Sequence, residues 1–274
     1  MSCRISGTAP LHAELSIPVS IESRGFHFMF KRLMRISVAH PLSLAAAMLA
    51  IAAVPARADF NNLSALDQSQ FDKFATGLAA ATHYKAITPA EPLGATGFDL
   101  GFEMSSTDID NAVFKRASGG SFSDDTLLVP RMHVHKGLVK GFDIGASISR
   151  LPRTGLSVIG GELRYAFISG NVAAPAVALR ASYTKVQGNS QFDMYNTGAE
   201  LTVSKGILMF TPYAGLGYVH SEIDPVDGLG LAKQSVGLNK VFVGMTMNFG
   251  VAVTVEADKT DDITSYSAKV GLRF

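Results

Sequence analysis

From Thr96 to the end of the chain, apolar and polar residues alternate with a period of two. Successive side chains of a strand point to opposite faces, so each such run reads as a strand with one apolar and one polar face. Ten strands are predicted. The first spans about 96–106 with Phe98, Leu100, Phe102 and Met104 on its apolar face, and the second 126–136 with Leu128, Pro130, Met132 and Val134. The third spans 140–150 (Phe142, Ile144, Ala146, Ile148), the fourth 156–168 (Ile159, Leu163, Tyr165, Phe167) and the fifth 174–186 (Val177, Leu179, Ala181, Tyr183). The sixth spans 192–204 (Tyr195, Ala199, Leu201, Val203), the seventh 207–221 (Leu208, Phe210, Leu216, Tyr218) and the eighth 236–248 (Val241, Val243, Met245, Met247). The ninth spans 251–260 (Val251, Val253, Val255, Ala257), and the tenth 264–274 (Tyr266, Ala268, Val270, Leu272, Phe274).

Connections after strands two, four, six and eight are short, at Lys136-Gly137-Leu138, Ser169-Gly170-Asn171, Lys205-Gly206 and Asn248-Phe249-Gly250. Those after one, seven and nine (107–125, 222–235, 259–263) are more polar, and the first two are long; those after three and five are intermediate. Membrane barrels have an even strand number, short turns on one side and longer loops on the other. The faces opposite the apolar ones carry Asp99, Glu103, Arg131, His133, His135, Asp143, Glu162, Arg164, Arg180, Glu200, Lys240, Glu256, Asp258, Lys269 and Arg273, with acids and bases nearly matched. A Lys or Arg facing lipid near the midplane costs about 2–4 kcal/mol, whereas inside a barrel these groups can pair. The expected fold is all-β: a closed antiparallel transmembrane barrel of about ten strands, with these residues as a charge network in its lumen. Pro130 and Pro212 interrupt strands, and a local bulge is expected at each. Gly141, Gly145, Gly198, Gly215, Gly217 and Gly244 are read as strand glycines that accommodate tight curvature or a bulky neighbour.

The front of the chain follows another pattern. Phe71, Phe74, Ala75, Leu78 and Ala79 recur at helical spacing, and the stripe weakens at Thr82. Ser64 or Asp67 can cap the start, Asp67 with Gln70 as a loose capping box, and Thr88-Pro89-Ala90-Glu91-Pro92 is expected to end the helix. This amphipathic helix in 59–94 is expected to pack on the barrel rim or lie in the interface; a lumen plug and an unstructured tail are the alternatives. Further upstream, the apolar run Leu42–Val54 follows Lys31, Arg32 and Arg35 and precedes Pro55-Ala56-Arg57-Ala58. A basic start, a short apolar centre and an A-x-A site form a secretory signal peptide. The run is also shorter than the roughly 20 residues that span a bilayer. Cleavage is expected after Ala58. The expected organisation is an over-long start at 1–28, a signal peptide at 29–58, the helix and lead-in segment at 59–94, and the barrel at 95–274.

Composition narrows the picture only slightly. The 274 residues are 47% hydrophobic, with Cys3 as the single cysteine and a formal net charge of +1. No internal disulfide or cysteine-based metal site can form. A balanced charge gives no basis for binding nucleic acid.

The terminal strand, ending on Phe274, resembles the C-terminal strand of outer-membrane β-barrels of Gram-negative bacteria. The segment Pro89-Ala90-Glu91-Pro92-Leu93-Gly94-Ala95-Thr96-Gly97-Phe98-Asp99 resembles a recurrent lead-in of such proteins. The resemblance spans most of 59–274. It implies fold and location in the outer membrane, with outer-membrane lipids and lipopolysaccharide as surroundings. It also implies recognition of Tyr266, Val270, Leu272 and Phe274 by the barrel-assembly machinery. It implies no activity.

Candidate chemistry is sparse. His133 and His135 face inward beside Asp99 and Glu103, and a hairpin centred near residue 116 would set Asp99 opposite His133. A carboxylate–histidine pair can act as a general base, or join a metal site with the second histidine; a salt-bridge network is the simpler expectation. His220 and Ser221 are sequence neighbours, so they face opposite sides of a strand and make a poor nucleophile–base pair. The loop acids Asp108, Asp110, Asp124, Asp125, Glu222, Asp224, Asp227, Asp261 and Asp262, and the bases Arg150, Arg153 and Lys185, suit solvated loops or contact with lipid headgroups and bridging cations. No cofactor is expected. The expected function is an integral outer-membrane barrel with a structural, binding or narrow small-solute passage role. The alternatives are an outer-membrane enzyme acting on lipid or peptide at the surface, and a soluble periplasmic binding protein.

Overall fold

The computed structural model describes residues 59–274; the expected over-long start and signal peptide lie outside the described residues. Ten strands form one closed antiparallel barrel: β1 (Phe98–Asp108), β2 (Thr126–Gly137), β3 (Phe142–Arg150), β4 (Ser157–Ser169), β5 (Ala176–Gln187), β6 (Phe192–Ser204), β7 (Phe210–Pro225), β8 (Gln234–Asn248), β9 (Ala252–Thr260) and β10 (Ile263–Arg273). Two helices accompany them, α1 (Gln68–Thr82) and α2 (Asn111–Ala117) in the β1–β2 loop. Each strand pairs with its neighbours in sequence, and β10 closes onto β1 with Glu103 opposite Lys269 and Asp99 opposite Arg273. The seam finishes at the last residue: Phe98 N–H donates to the Phe274 carbonyl (2.7 Å) and Phe274 N–H to the Phe98 carbonyl (3.0 Å).

The apolar faces point outward. Leu163, Leu216 and Val243 are 50–60% exposed, whereas Glu103 on an inward face is fully buried. Several local expectations need correction. Leu208 lies in the turn before β7 with positive φ, not on a strand. Gly141 likewise belongs to the β2–β3 turn, with φ +81°. The loop-length rhythm is weaker than the sequence suggests: 109–125 and 226–233 are long, but 188–191 and 261–262 are no longer than the turns at the other end.

No bulge occurs at either proline. Register is continuous through Pro130 opposite Met104 and Pro212 opposite Met245. The reason is positional. The β2–β3 ladder begins at Arg131 and the β6–β7 ladder ends at Tyr213, so each proline sits one residue beyond one of its ladders. A missing N–H there leaves no cross-strand partner unpaired. The one register shift in the β4–β5 ladder falls between Ala166 and Ile168. Gly215 and Gly244 lie beneath the rings of Phe242 and Tyr213, where a Cβ would collide.

α1 lies inside the barrel, not on the rim or in the interface. Asp67 caps it, accepting from Gln70 N–H (2.9 Å) while Gln70 returns the bond to Asp67 N–H (3.2 Å). From Gly77 to Ala90 every residue is buried. The small residues of Gly77-Leu78-Ala79-Ala80-Ala81 make the helix narrow enough for the lumen; a Cβ on Gly77 would press on the Phe114 ring. The helix stops at Thr82, well before Pro89. Its last carbonyls turn to donors on the wall instead: Arg131 Nη2 reaches the Ala81 carbonyl (2.6 Å) and Thr184 the Thr82 carbonyl (3.1 Å). Open helix C-termini require such partners. The chain then runs on without regular structure, with a left-handed residue at Ile87 (φ +48°) and a turn closed by Gly97 N–H to the Gly94 carbonyl (3.0 Å), and enters β1.

The filled lumen has two parts. Towards the loop end, Phe60, Leu63, Phe71, Phe74 and Leu78 pack with Phe114 and Phe122 of the first loop and with the inward residues Leu127, Val129, Val158, Met194 and Ile223. Towards the turn end the filling is ionic.

Candidate functional site

The ionic half of the lumen is built by strand alternation. Every predicted network residue is buried except Arg273, whose side chain is 15% exposed near the turn end. The β1–β2 register sets Asp99 opposite His135, Gly101 opposite His133 and Glu103 opposite Arg131. The hairpin is therefore centred near residue 117 rather than 116, and Asp99 does not face His133. Asp99 instead takes Lys269 (3.1 Å) and Arg273 (3.7 Å). Glu103 is shared by Arg131 (2.8 Å) and His133. Arg164 pairs with Asp143. Arg180 stands between Glu162 (2.7 Å) and Glu200 (2.6 Å), and Lys240 takes the other Glu200 oxygen (2.8 Å). Tyr213 donates to Glu256 (2.7 Å). His135 lies 3.5 Å from Glu162, and a Cβ on Gly145 would collide with both side chains. A glycine there makes room for the pair.

Sequence reasoning missed the segment that threads this network. Residues 83–97 form a strap gripped through its backbone. Arg131 binds the carbonyls of Ala81 and His83. Arg164 binds the Pro89 carbonyl (2.7 Å), the Glu91 carbonyl (3.3 Å) and Thr88 Oγ1 (3.1 Å), and Arg180 also donates to Thr88 (3.0 Å). Arg273 donates to the Glu91 carbonyl (3.0 Å). In return, Ala90 N–H donates to Ser204 (3.0 Å) and Leu93 N–H to Asp143 (3.1 Å). The guanidinium fork can hold a carboxylate and a carbonyl at once, which an ammonium cannot do with fixed geometry. Pro89 and Pro92 keep the strap from coiling back into helix.

Lys85 is the strap's charged anchor. It is fully buried and lies 2.6 Å from Asp258. Its charge evens the wall's count. The predicted wall carries seven acids (Asp99, Glu103, Asp143, Glu162, Glu200, Glu256, Asp258) and six bases (Arg131, Arg164, Arg180, Lys240, Lys269, Arg273). Lys85 supplies the seventh base. The Tyr84 hydroxyl, 3.3 Å from His135 Nε2, completes the contacts around the histidines.

The arrangement holds a segment in place; its charged groups are engaged with one another and with that segment. Among the described residues, no group of three or more His, Cys, Asp and Glu converges to hold a metal ion. His220 is part-exposed beside Glu222 (3.5 Å), while Ser221 is buried on the opposite face. At the loop end, Arg153 pairs with Asp124 (2.8 Å), Lys73 with Asp110 (3.7 Å) and Lys233 with Glu222. The hydrogen bond to the Glu222 carboxylate raises the Lys233 pKa above its ordinary value. Arg150 and Lys185 are exposed. Leu272 on β10 and Phe274 just beyond it are exposed, with Tyr266 and Val270 on the same alternating face.

No protein-family model matches the chain, and no curated protein sequence is detectably similar. Similar solved structures are outer-membrane β-barrels of Gram-negative bacteria. They include the KdgM porin, at 10% identity and TM-score 0.35, covering 64% of this chain and 99% of that one. The N-terminal β-barrel domain of Pseudomonas aeruginosa OprF is 10% identical with TM-score 0.32, covering 66% and 99%. Neisserial surface protein A is 14% identical with TM-score 0.29, covering 64% and 95%.

Proposed function

We propose that the protein is an integral barrel of the Gram-negative outer membrane whose lumen is closed at rest by its own amino-terminal segment. Its resting role is structural or binding; a passage for small solutes exists only when the strap is displaced. The carrying observation is the inversion of polarity across the wall, with exposed Leu, Ile, Val and Phe outside and buried ion pairs within. Apolar surface continuous around a barrel has no place in water and matches a lipid belt. Aromatic pairs stand at its two edges. Phe142–Tyr165 and Phe98–Phe274 lie near the turn end, and Tyr183–Tyr195 nearer the loops. Along β7 the outward face runs apolar from Phe210 to Tyr218 and turns polar at His220 and Glu222. A tilted strand climbs about 20 Å over that stretch, close to the apolar band of roughly 25 Å in such barrels.

The test uses depth-dependent quenching. The chain has no tryptophan, so a single probe can be placed by Leu163→Trp on the outside, or by Phe242→Trp on an inward position. In vesicles of brominated phospholipid the first is expected to be quenched strongly and the second weakly. Equal quenching, or recovery of the protein in the soluble envelope fraction, contradicts the proposal.

A further inference from the structure

We propose that this barrel carries its amino-terminal end to the outer surface: Asp59–Gln70 lie at the loop end of the lumen, which faces the outside of the cell, and residues 71–97 cross the membrane inside the lumen, from the loop end to the turn end, before β1 begins. The direction is read from contacts taken in chain order. At the loop end, Asn62 N–H donates to the Ala117 carbonyl (2.9 Å) and Leu63 N–H to Gln191 Oε1 (2.9 Å). Gln68 bonds both ways with the backbone of Ala232, at 3.1 and 2.8 Å. Midway down, Thr82 meets Thr184 and Asn196, and Lys85 meets Asp258. At the turn end, Glu91 accepts from Gly206 N–H (3.1 Å) and Ala90 reaches Ser204. Gly137 completes the exit: a Cβ there would strike the backbone of Gly94.

Counting the strap, the chain makes an odd number of crossings, so Asp59 and Phe274 lie at opposite ends of the barrel. Long loops of such barrels face outward, and 109–125 and 226–233 lie at the Asp59 end. A chain laid out this way places Asp59 and the residues that follow it at the outer face of the barrel. The external placement rests on the membrane placement proposed above.

Single cysteines in a Cys3→Ser full-length chain test both separately. Ser69→Cys and Asn61→Cys report the amino-terminal end, Asp262→Cys the loop end and Val172→Cys the turn end; all four positions are exposed. A membrane-impermeant maleimide on intact cells is expected to label Ser69→Cys, Asn61→Cys and Asp262→Cys, and Val172→Cys only after the outer membrane is permeabilised. Labelling of Asp262→Cys without either amino-terminal cysteine overturns the threading and leaves the membrane barrel standing. Labelling of Val172→Cys alone on intact cells reverses the orientation and overturns the external placement. Fractionation of all four variants with soluble protein overturns the membrane placement itself.

Discussion

The two halves of the lumen hold the same segment by different physics. Near the loops the contact is aromatic: Phe74 lies 4.9 Å from Phe114, 5.3 Å from Phe60 and 5.9 Å from Phe192, ring centre to ring centre. Near the turns it is a set of guanidinium-to-carbonyl and ion-pair bonds at Arg131, Arg164, Arg180 and Lys85. Apolar burial is strong but non-directional, and cores tolerate exchange among side chains of similar size. Buried ionic contacts add little net stability, yet leaving one partner unpaired is severe. The apolar half therefore supplies most of the holding strength. The ionic half fixes the register of strap against wall.

This contrast can be broken most sharply with one truncation in each half. Phe74→Ala is expected to cost about 3–5 kcal/mol, through lost transfer and a cavity. Arg131→Ala is expected to cost about as much, because it leaves Glu103 with only His133 and frees two strap carbonyls. Urea unfolding in lipid vesicles measures both. The difference should show in repair: Phe74→Leu recovers most of the loss, whereas Arg131→Lys recovers little because an ammonium cannot reproduce the fork. Equal repair in both halves contradicts the division.

A double-mutant cycle sharpens it next. Lys85→Met alone is expected to cost about 3–5 kcal/mol by stranding Asp258. With Asp258→Leu added, stability should return to near the original value or exceed it by roughly 1–4 kcal/mol. Additive losses in the double variant would mean that the pair itself, rather than its mutual satisfaction, holds the strap. A smaller effect is expected at the helix start, where Asp67→Ala removes the cap and costs about 1 kcal/mol. The smallest is at the exposed Lys73–Asp110 pair, where Lys73→Ala should change stability by less than about 1 kcal/mol. Both are read from the same urea midpoints.

The wall was far more legible in the sequence than its contents. Period-two alternation located all ten strands, because one face is apolar and turned outward and the other lines a lumen, and strands six and nine end within one residue of their expected bounds. What the alternation concealed was the apolar half of the lumen. Leu127, Val129, Val158, Met194 and Val219 are inward and apolar, each beside an outward apolar or aromatic neighbour, so those strand ends are greasy on both faces. That double-sided stretch was the available sign of an apolar occupant. The all-round small residues Gly77-Leu78-Ala79-Ala80-Ala81 were the sign of what the occupant is. The backbone grip of the arginines left no sequence signal, since carbonyls are common to every residue. The Asp99–Lys269 pairing depends on barrel closure and on a hairpin register that the long first loop does not reveal.

Closure of the lumen by residues 59–94 is open to single-channel recording in planar bilayers. The refolded chain 59–274 should be silent. The barrel 95–274 should pass a steady current with cations favoured, because loss of Lys85 leaves seven wall acids against six bases. A stable open current from the longer chain, or silence from a shorter chain shown to be folded, would contradict it.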